Sequence, residues 1–159
     1  MNKAAVLEAI VERLQADLAL YAKAADSARA EATDEQSKAE NKYDTRGLEA
    51  SYLARGQSRQ ARETETALEQ FAVLLRQPPA TPQVIGVGCL VELKIGRETA
   101  RYFIGPRAGG TEVTVDGQEI LVITSQSPLG KQLTGHGAGE RLALDLGGQA
   151  KEGRVVSVA

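Results

Sequence analysis

The chain has 159 residues with a formal charge of −2, 42% apolar and only 4% aromatic residues, one histidine, one cysteine and no tryptophan. This balance excludes a whole-molecule electrostatic match to nucleic acid or to an anionic membrane. One His and one Cys exclude an internal disulfide framework and any His/Cys metal cluster. The length allows one domain or two small ones.

No apolar run approaches the roughly 18 residues that span a bilayer. The opening "MNKAAVLEAIVERLQADLAL" lacks a continuous apolar segment followed by a small-residue cleavage site. A cytoplasmic protein is therefore expected, with Cys89 reduced and acting as a small buried hydrophobe beside a strand.

Residues 1–77 hold two glycines and no proline, whereas residues 78–159 hold the other fourteen glycines and all five prolines. The first half reads as helix. Leu7, Leu14, Tyr21 and Ala28 recur every seven residues, and Val11, Leu18, Ala25 and Ala32 repeat the period four residues on. That is a heptad seam. Leu75, Leu68, Ala61 and Ala54, supported by Phe71 and Leu74, run back with the same period. In both arms the seam shrinks to alanine towards the middle, which suits an antiparallel two-helix coiled-coil hairpin over 1–77. About 30 residues per arm at roughly 1.5 Å each predict a reach of about 45 Å.

Between the arms, "EATDEQSKAENKYDTRG" places Glu31, Asp34, Glu35, Glu40 and Asp44 within fourteen residues, against Lys38 and Lys42 alone. The predicted tip, around 33–44, is therefore acidic. After the hairpin, Pro78, Pro79 and Pro82 in "RQPPATPQ" forbid helix continuation and predict an extended linker over 78–83.

Residues 84–159 read as strands. "CLVELKIG" alternates with the period of a half-buried strand, and "ARYFIG", "TEVTVDG", "EILVIT", "RLALDLGG" and "GRVVSVA" follow between glycine-bearing turns. One short helix interrupts them at "SPLGKQLTG", with Ser127 suited to the N-cap, Pro128 to the first turn and Gly135 to the position past the end. The predicted fold class is α+β, a helical hairpin followed by a small strand-rich domain with one short helix.

Little autonomous chemistry is visible. His136 in "TGHGAGE" is expected to be a loop residue. Neither "GHGAGE" nor "IGVGCL" has the spacing or the strand-then-helix setting of a phosphate-binding loop. Arg55, Arg59 and Arg62 share a helix face at i, i+4, i+7. They are either a solvated face or a contact for a nucleic-acid backbone.

The hairpin with an acidic tip, followed by "VGCLVELKI…ARYFIGP…EILVITSQSPLGKQLTGHGAGERLAL", resembles the bacterial GreA/GreB family of transcript-cleavage factors. The likeness is most specific over the C-terminal half, where strand, "IGP" turn and "SPLG" helix come in the family's order. At the tip it rests on Glu40-Asn41. The resemblance implies an FKBP-like C-terminal domain that docks on RNA polymerase at the secondary channel through Ser127, Pro128, Leu129 and Gly130. It implies a monomer and no enzyme activity of its own. The hairpin tip, with Asp34, Glu35, Glu40, Asn41 and Asp44, would reach the polymerase active site near the nascent RNA 3′ end. There Glu40 would help to hold a shared Mg²⁺ and so stimulate cleavage of backtracked RNA; no cofactor is expected in isolation.

The sequence departs from the family's pattern at three places. Gln126 stands where members carry Asp or Asn, Ser37 replaces an acid three residues before Glu40-Asn41, and Tyr43 comes one residue early. Asp34, Glu35 or Asp44 are the candidates to replace the missing acid. The departure at Ser37 defines a second reading, a homologue that occupies the channel as a regulator or inhibitor without stimulating cleavage. A prolyl isomerase would need an aromatic-lined pocket, and this half offers only the adjacent Tyr102 and Phe103, on opposite strand faces.

Overall fold

The computed structural model describes residues 2–35, 38, 40, 45–76 and 82–159. It contains helices α1 (Lys3–Thr33) and α2 (Arg46–Arg76), strands β1 (Leu90–Ile95), β2 (Glu98–Gly105), β3 (Glu112–Val115) and β4 (Gln118–Thr124), helix α3 (Pro128–Leu133), and strands β5 (Arg141–Asp145) and β6 (Ala150–Val158). The α+β class and every predicted helix and strand are present. The chain forms two compact units, Met1–Arg13 with Glu69–Ala159, and Leu14–Leu68. Most of the predicted linker, residues 78–81, lies outside the described residues. Among those described, no helix is long and apolar enough to cross a membrane.

The six strands form one sheet in the order β3-β4-β2-β1-β6-β5. Only β2 and β4 pair in parallel; the other neighbours are antiparallel. The β3–β4 turn is Asp116-Gly117, both with positive φ (52° and 71°), the backbone that a tight two-residue hairpin requires and that Asp-Gly supplies at least strain. Between β1 and β6 the register shifts after Glu92, which leaves Val156 unpaired and exposed.

Alternation along the strands gives the sheet two apolar faces. Val91, Leu93, Ile104, Ile123 and Val155 pack with Leu133 of α3, Leu144, Ile85 and Cys89 in one core cluster. Phe103 and Gly105 point the other way along β2, and that face meets α2 through Phe71. The two phenyl rings lie 5.9 Å apart at 39°. Gly105 makes room for the contact, because a Cβ there would fall 2.9 Å from Phe71 Cζ and 2.8 Å from Val122 Cγ1. Val6, Leu7, Ile10 and Phe71 are all essentially inaccessible to water. The start of α1 and the end of α2 thus belong to the core of the sheet unit.

Helix α3 is fixed at both ends. Ser127 is its N-cap, accepting from Gly130 N at 3.1 Å, while its hydroxyl donates to Thr124 O at 2.8 Å. Just past the end, Gly135 takes φ +89°, as expected of a helix terminator. Gln132 ties the helix to β5, donating to Pro128 O (3.0 Å) and Asp145 O (3.1 Å) and accepting from Asp145 N (2.7 Å).

In the second unit the two arms meet through small residues. Leu14, Ala25, Ala28, Ala50, Ala54, Thr64 and Ala67 are buried, and Tyr21, Ala32, Ala61 and Leu68 are half-buried, on the predicted 3–4 spacing. The buried Thr64 hydroxyl is satisfied by donating to Gln60 O at 2.9 Å. Arg29 Nη2 reaches across to Ser58 Oγ at 3.3 Å.

Two stability predictions follow from this packing. Phe71→Ala empties a fully buried aromatic site in the sheet unit and lowers unfolding free energy by about 3–5 kcal/mol in urea titration. Gly130→Ala places a methyl 1.9 Å from Thr124 O. It is expected to destabilise by about 3 kcal/mol, against about 1 kcal/mol for loss of the cap in Ser127→Ala.

Candidate functional site

The first candidate is the tip. α1 stops after Thr33, whose hydroxyl turns back to donate to Arg29 O (3.1 Å) and Ala30 O (3.2 Å). Asp34 N bonds to Glu31 O at 3.3 Å and Lys38 N to Glu35 O at 3.3 Å, a tightened i→i+3 pattern in place of the helical one. On the other side, α2 opens with Thr45 donating to the Glu49 carboxylate at 2.9 Å.

Glu31 and Glu35 carry ion pairs. Glu31 Oε1 lies 3.3 Å from Arg46 Nε, bridging the two arms, and Glu35 Oε1 lies 3.3 Å from Lys38 Nζ. Both pairs are well exposed, so each contributes position more than stability. Asp34 and Glu40 are also exposed. Among the described residues no three His, Cys, Asp or Glu side chains gather into a metal-holding group. Asn41 and Asp44, together with Ser37 and Tyr43, lie outside the described residues.

The second candidate is the "SPLG" segment, whose four residues divide between two jobs. Ser127 caps α3, Leu129 packs against the core cluster, and Gly130 is buried where no side chain fits beside Thr124. Pro128 alone is exposed. Three of the four motif positions are thus demanded by the fold itself.

Beyond the end of α3, Val84 pairs with Gly137, and Ile85 N donates to His136 O at 2.8 Å. His136 is not simply solvated: its Nδ1 sits 2.7 Å from Glu140 Oε2, while Glu140 Oε1 accepts from Gly137 N at 2.8 Å. Those bonds, the one to His136 foremost, hold the Glu140 carboxyl below its ordinary value. The glycines of "GHGAGE" therefore serve a side-chain-closed turn.

The third candidate is the arginine stripe. Arg55, Arg59 and Arg62 are all exposed on α2, and Arg59 Nε pairs with Glu63 Oε1 at 3.0 Å. Leu48 and Tyr52, 56% and 63% exposed, continue the same stripe towards the tip. Sequence reasoning passed them over, although their spacing of four, then three to Arg55, was there to be read. Tyr102 is half-buried with the α3-side cluster while Phe103 packs on Phe71, so the two rings of the β2 pair do not line one pocket.

Comparison with known proteins gives one curated relative that decides the family. The transcription inhibitor protein Gfh1 of Thermus aquaticus is 32% identical over 119 residues, covering 73% of this chain and 71% of the relative. The crystal structure of Gfh1 from Thermus aquaticus shares 26% identity and covers 99% of this chain and 96% of its own, with a TM-score of 0.40. That of GreA factor homolog 1 (Gfh1) from Thermus thermophilus shares 24% identity, covers 94% of both chains, and has a TM-score of 0.39. No family model matches the sequence. Of the two readings of the tip, a relative named as a transcription inhibitor fits the channel-occupying regulator better than the cleavage stimulator. Identity at this level over nearly three quarters of the sequence establishes that the chain belongs to the Gre family of transcription factors, alongside the GreA homologue Gfh1.

Proposed function

We propose that this protein is an accessory factor of RNA polymerase that occupies the secondary channel with its helical hairpin and inhibits transcription, without stimulating RNA cleavage. The observation that carries this reading is the 32% identity to a transcription inhibitor over 73% of the chain. The departure at Ser37, where cleavage factors of the family carry an acid, supports it.

The physical basis is steric and electrostatic. Residues 31–44 carry five carboxylates and two lysines, a net charge of −3. A negative tip inside a narrow channel repels an incoming triphosphate, and the helices beside it exclude substrate volume. Glu31 and Glu35 are held by Arg46 and Lys38. Glu40 is the tip acid to which the family resemblance assigns contact with a shared Mg²⁺ of the polymerase. Competing for that ion would inhibit, whereas cleavage needs it fixed with an attacking water. In this reading the C-terminal unit supplies docking through the exposed Pro128 and its surroundings, and the chain performs no chemistry of its own.

The test is RNA cleavage in a reconstituted backtracked elongation complex. The wild-type protein is expected to leave the cleavage rate at the level of polymerase alone. Acceleration by the wild type that disappears in Glu40→Ala would show a cleavage factor and overturn the proposal.

A further inference from the structure

On the outer side of α2, Leu48, Tyr52, Arg55, Arg59 and Arg62 follow one another at spacings of four, three, four and three residues. Residues so spaced stack into a single stripe. Every one of them is exposed, whereas the residues that turn to the partner arm are Ala50, Ala54, Ala61 and Thr64. The stripe therefore has no role in holding the arms together.

A second observation concerns Gly56, in the interior of the same helix. A glycine there weakens the helix relative to almost any other residue. Nothing inside the molecule calls for it, since a Cβ at this position would meet no atom within 4 Å. Its helical neighbours at i−4, i−3 and i+3 are Tyr52, Leu53 and Arg59, with both apolar side chains more than half exposed. The surface thus has a notch of bare backbone, flanked by an aromatic ring, a leucine and a guanidinium. Such a notch permits close approach by something outside the molecule.

We infer that this face is a second docking surface, resting on the polymerase reading above, and that its counterpart is an acidic and apolar protein wall. Carboxylates of the wall meet the three arginines, and one of its side chains seats over Gly56. Tyr and Arg are the residue types that concentrate binding energy once a partner covers them at protein interfaces. A nucleic-acid strand fits less well. Glu63 stands within the stripe, paired to Arg59 at 3.0 Å, where it would face phosphates. Leu48 and Leu53 offer no ring, and one tyrosine is not a platform for successive bases.

The test is binding of the full chain to core RNA polymerase, read by fluorescence anisotropy, for wild type, Gly56→Gln, Arg55→Ala/Arg62→Ala and the control Lys23→Ala on α1. Gly56→Gln improves helix propensity, so its Tm is expected to rise by about 2–4 °C. Its affinity is expected to fall about tenfold, a combination that misfolding cannot produce. The double arginine variant is expected to lose about tenfold and to show a flatter salt dependence, while Lys23→Ala binds as wild type. Wild-type binding with unchanged affinity in both α2 variants overturns the inference and leaves the polymerase reading standing. No binding by wild type overturns both. A single-stranded RNA oligonucleotide that binds wild type and is lost in these variants assigns the face to nucleic acid, which also overturns it.

Discussion

The contact of Phe71 with Phe103 over the bare backbone of Gly105 is the constraint on which the sheet unit depends. A sheet with two apolar faces must have both covered. Here α3 covers one, and the chain has no other helix within residues 84–159 for the second. The ends of α1 and α2 fill that role, with Val6, Leu7, Ile10 and Phe71 withdrawn from water. Aromatic burial at a single point suffices because so few aromatics exist: with two phenylalanines in the whole chain, both are spent on this one contact.

The Leu14–Leu68 unit follows a different rule. Its seam is mostly alanine, which buries little area per residue and lets helix backbones approach closely. Such a pair is narrow and weakly held, and surface ion pairs such as Glu31–Arg46 add position more than free energy. Leucine at these seam positions would bind the arms more tightly, so the alanine seam trades stability for slenderness.

Most of the architecture was legible from residue period and turn chemistry. The heptad seam, all six strands and the Ser127-Pro128…Gly135 helix are local signals, each set by residues within a few positions of one another. What the sequence left hidden depends on tertiary contact. Val6 and Ile10 lie outside the seam, and their burial follows from a helix end that meets a sheet as well as a partner helix, which widens its apolar stripe. Ser127 was readable as the cap of α3, but the packing of Leu129 on the core and the lack of space beside Gly130 are set by contacts beyond the motif, Thr124 among them. The His136–Glu140 pair was invisible because a loop histidine carries no period. At the tip, Glu31 was readable but its cationic partner was not, because Arg46 lies fifteen residues from it along the chain.

Membership in the Gre family and likeness to a transcription inhibitor bring these features to the proposed account of an acidic hairpin and a small sheet domain that act together on transcription. Its central claim is that the protein suppresses RNA synthesis. The most direct measurement is multi-round run-off transcription by purified RNA polymerase as the protein is titrated. The account predicts a saturable, concentration-dependent loss of full-length RNA that weakens when Asp34, Glu35 and Glu40 are replaced by alanine. Undiminished or increased RNA synthesis, at concentrations where the protein is bound to polymerase, would contradict it.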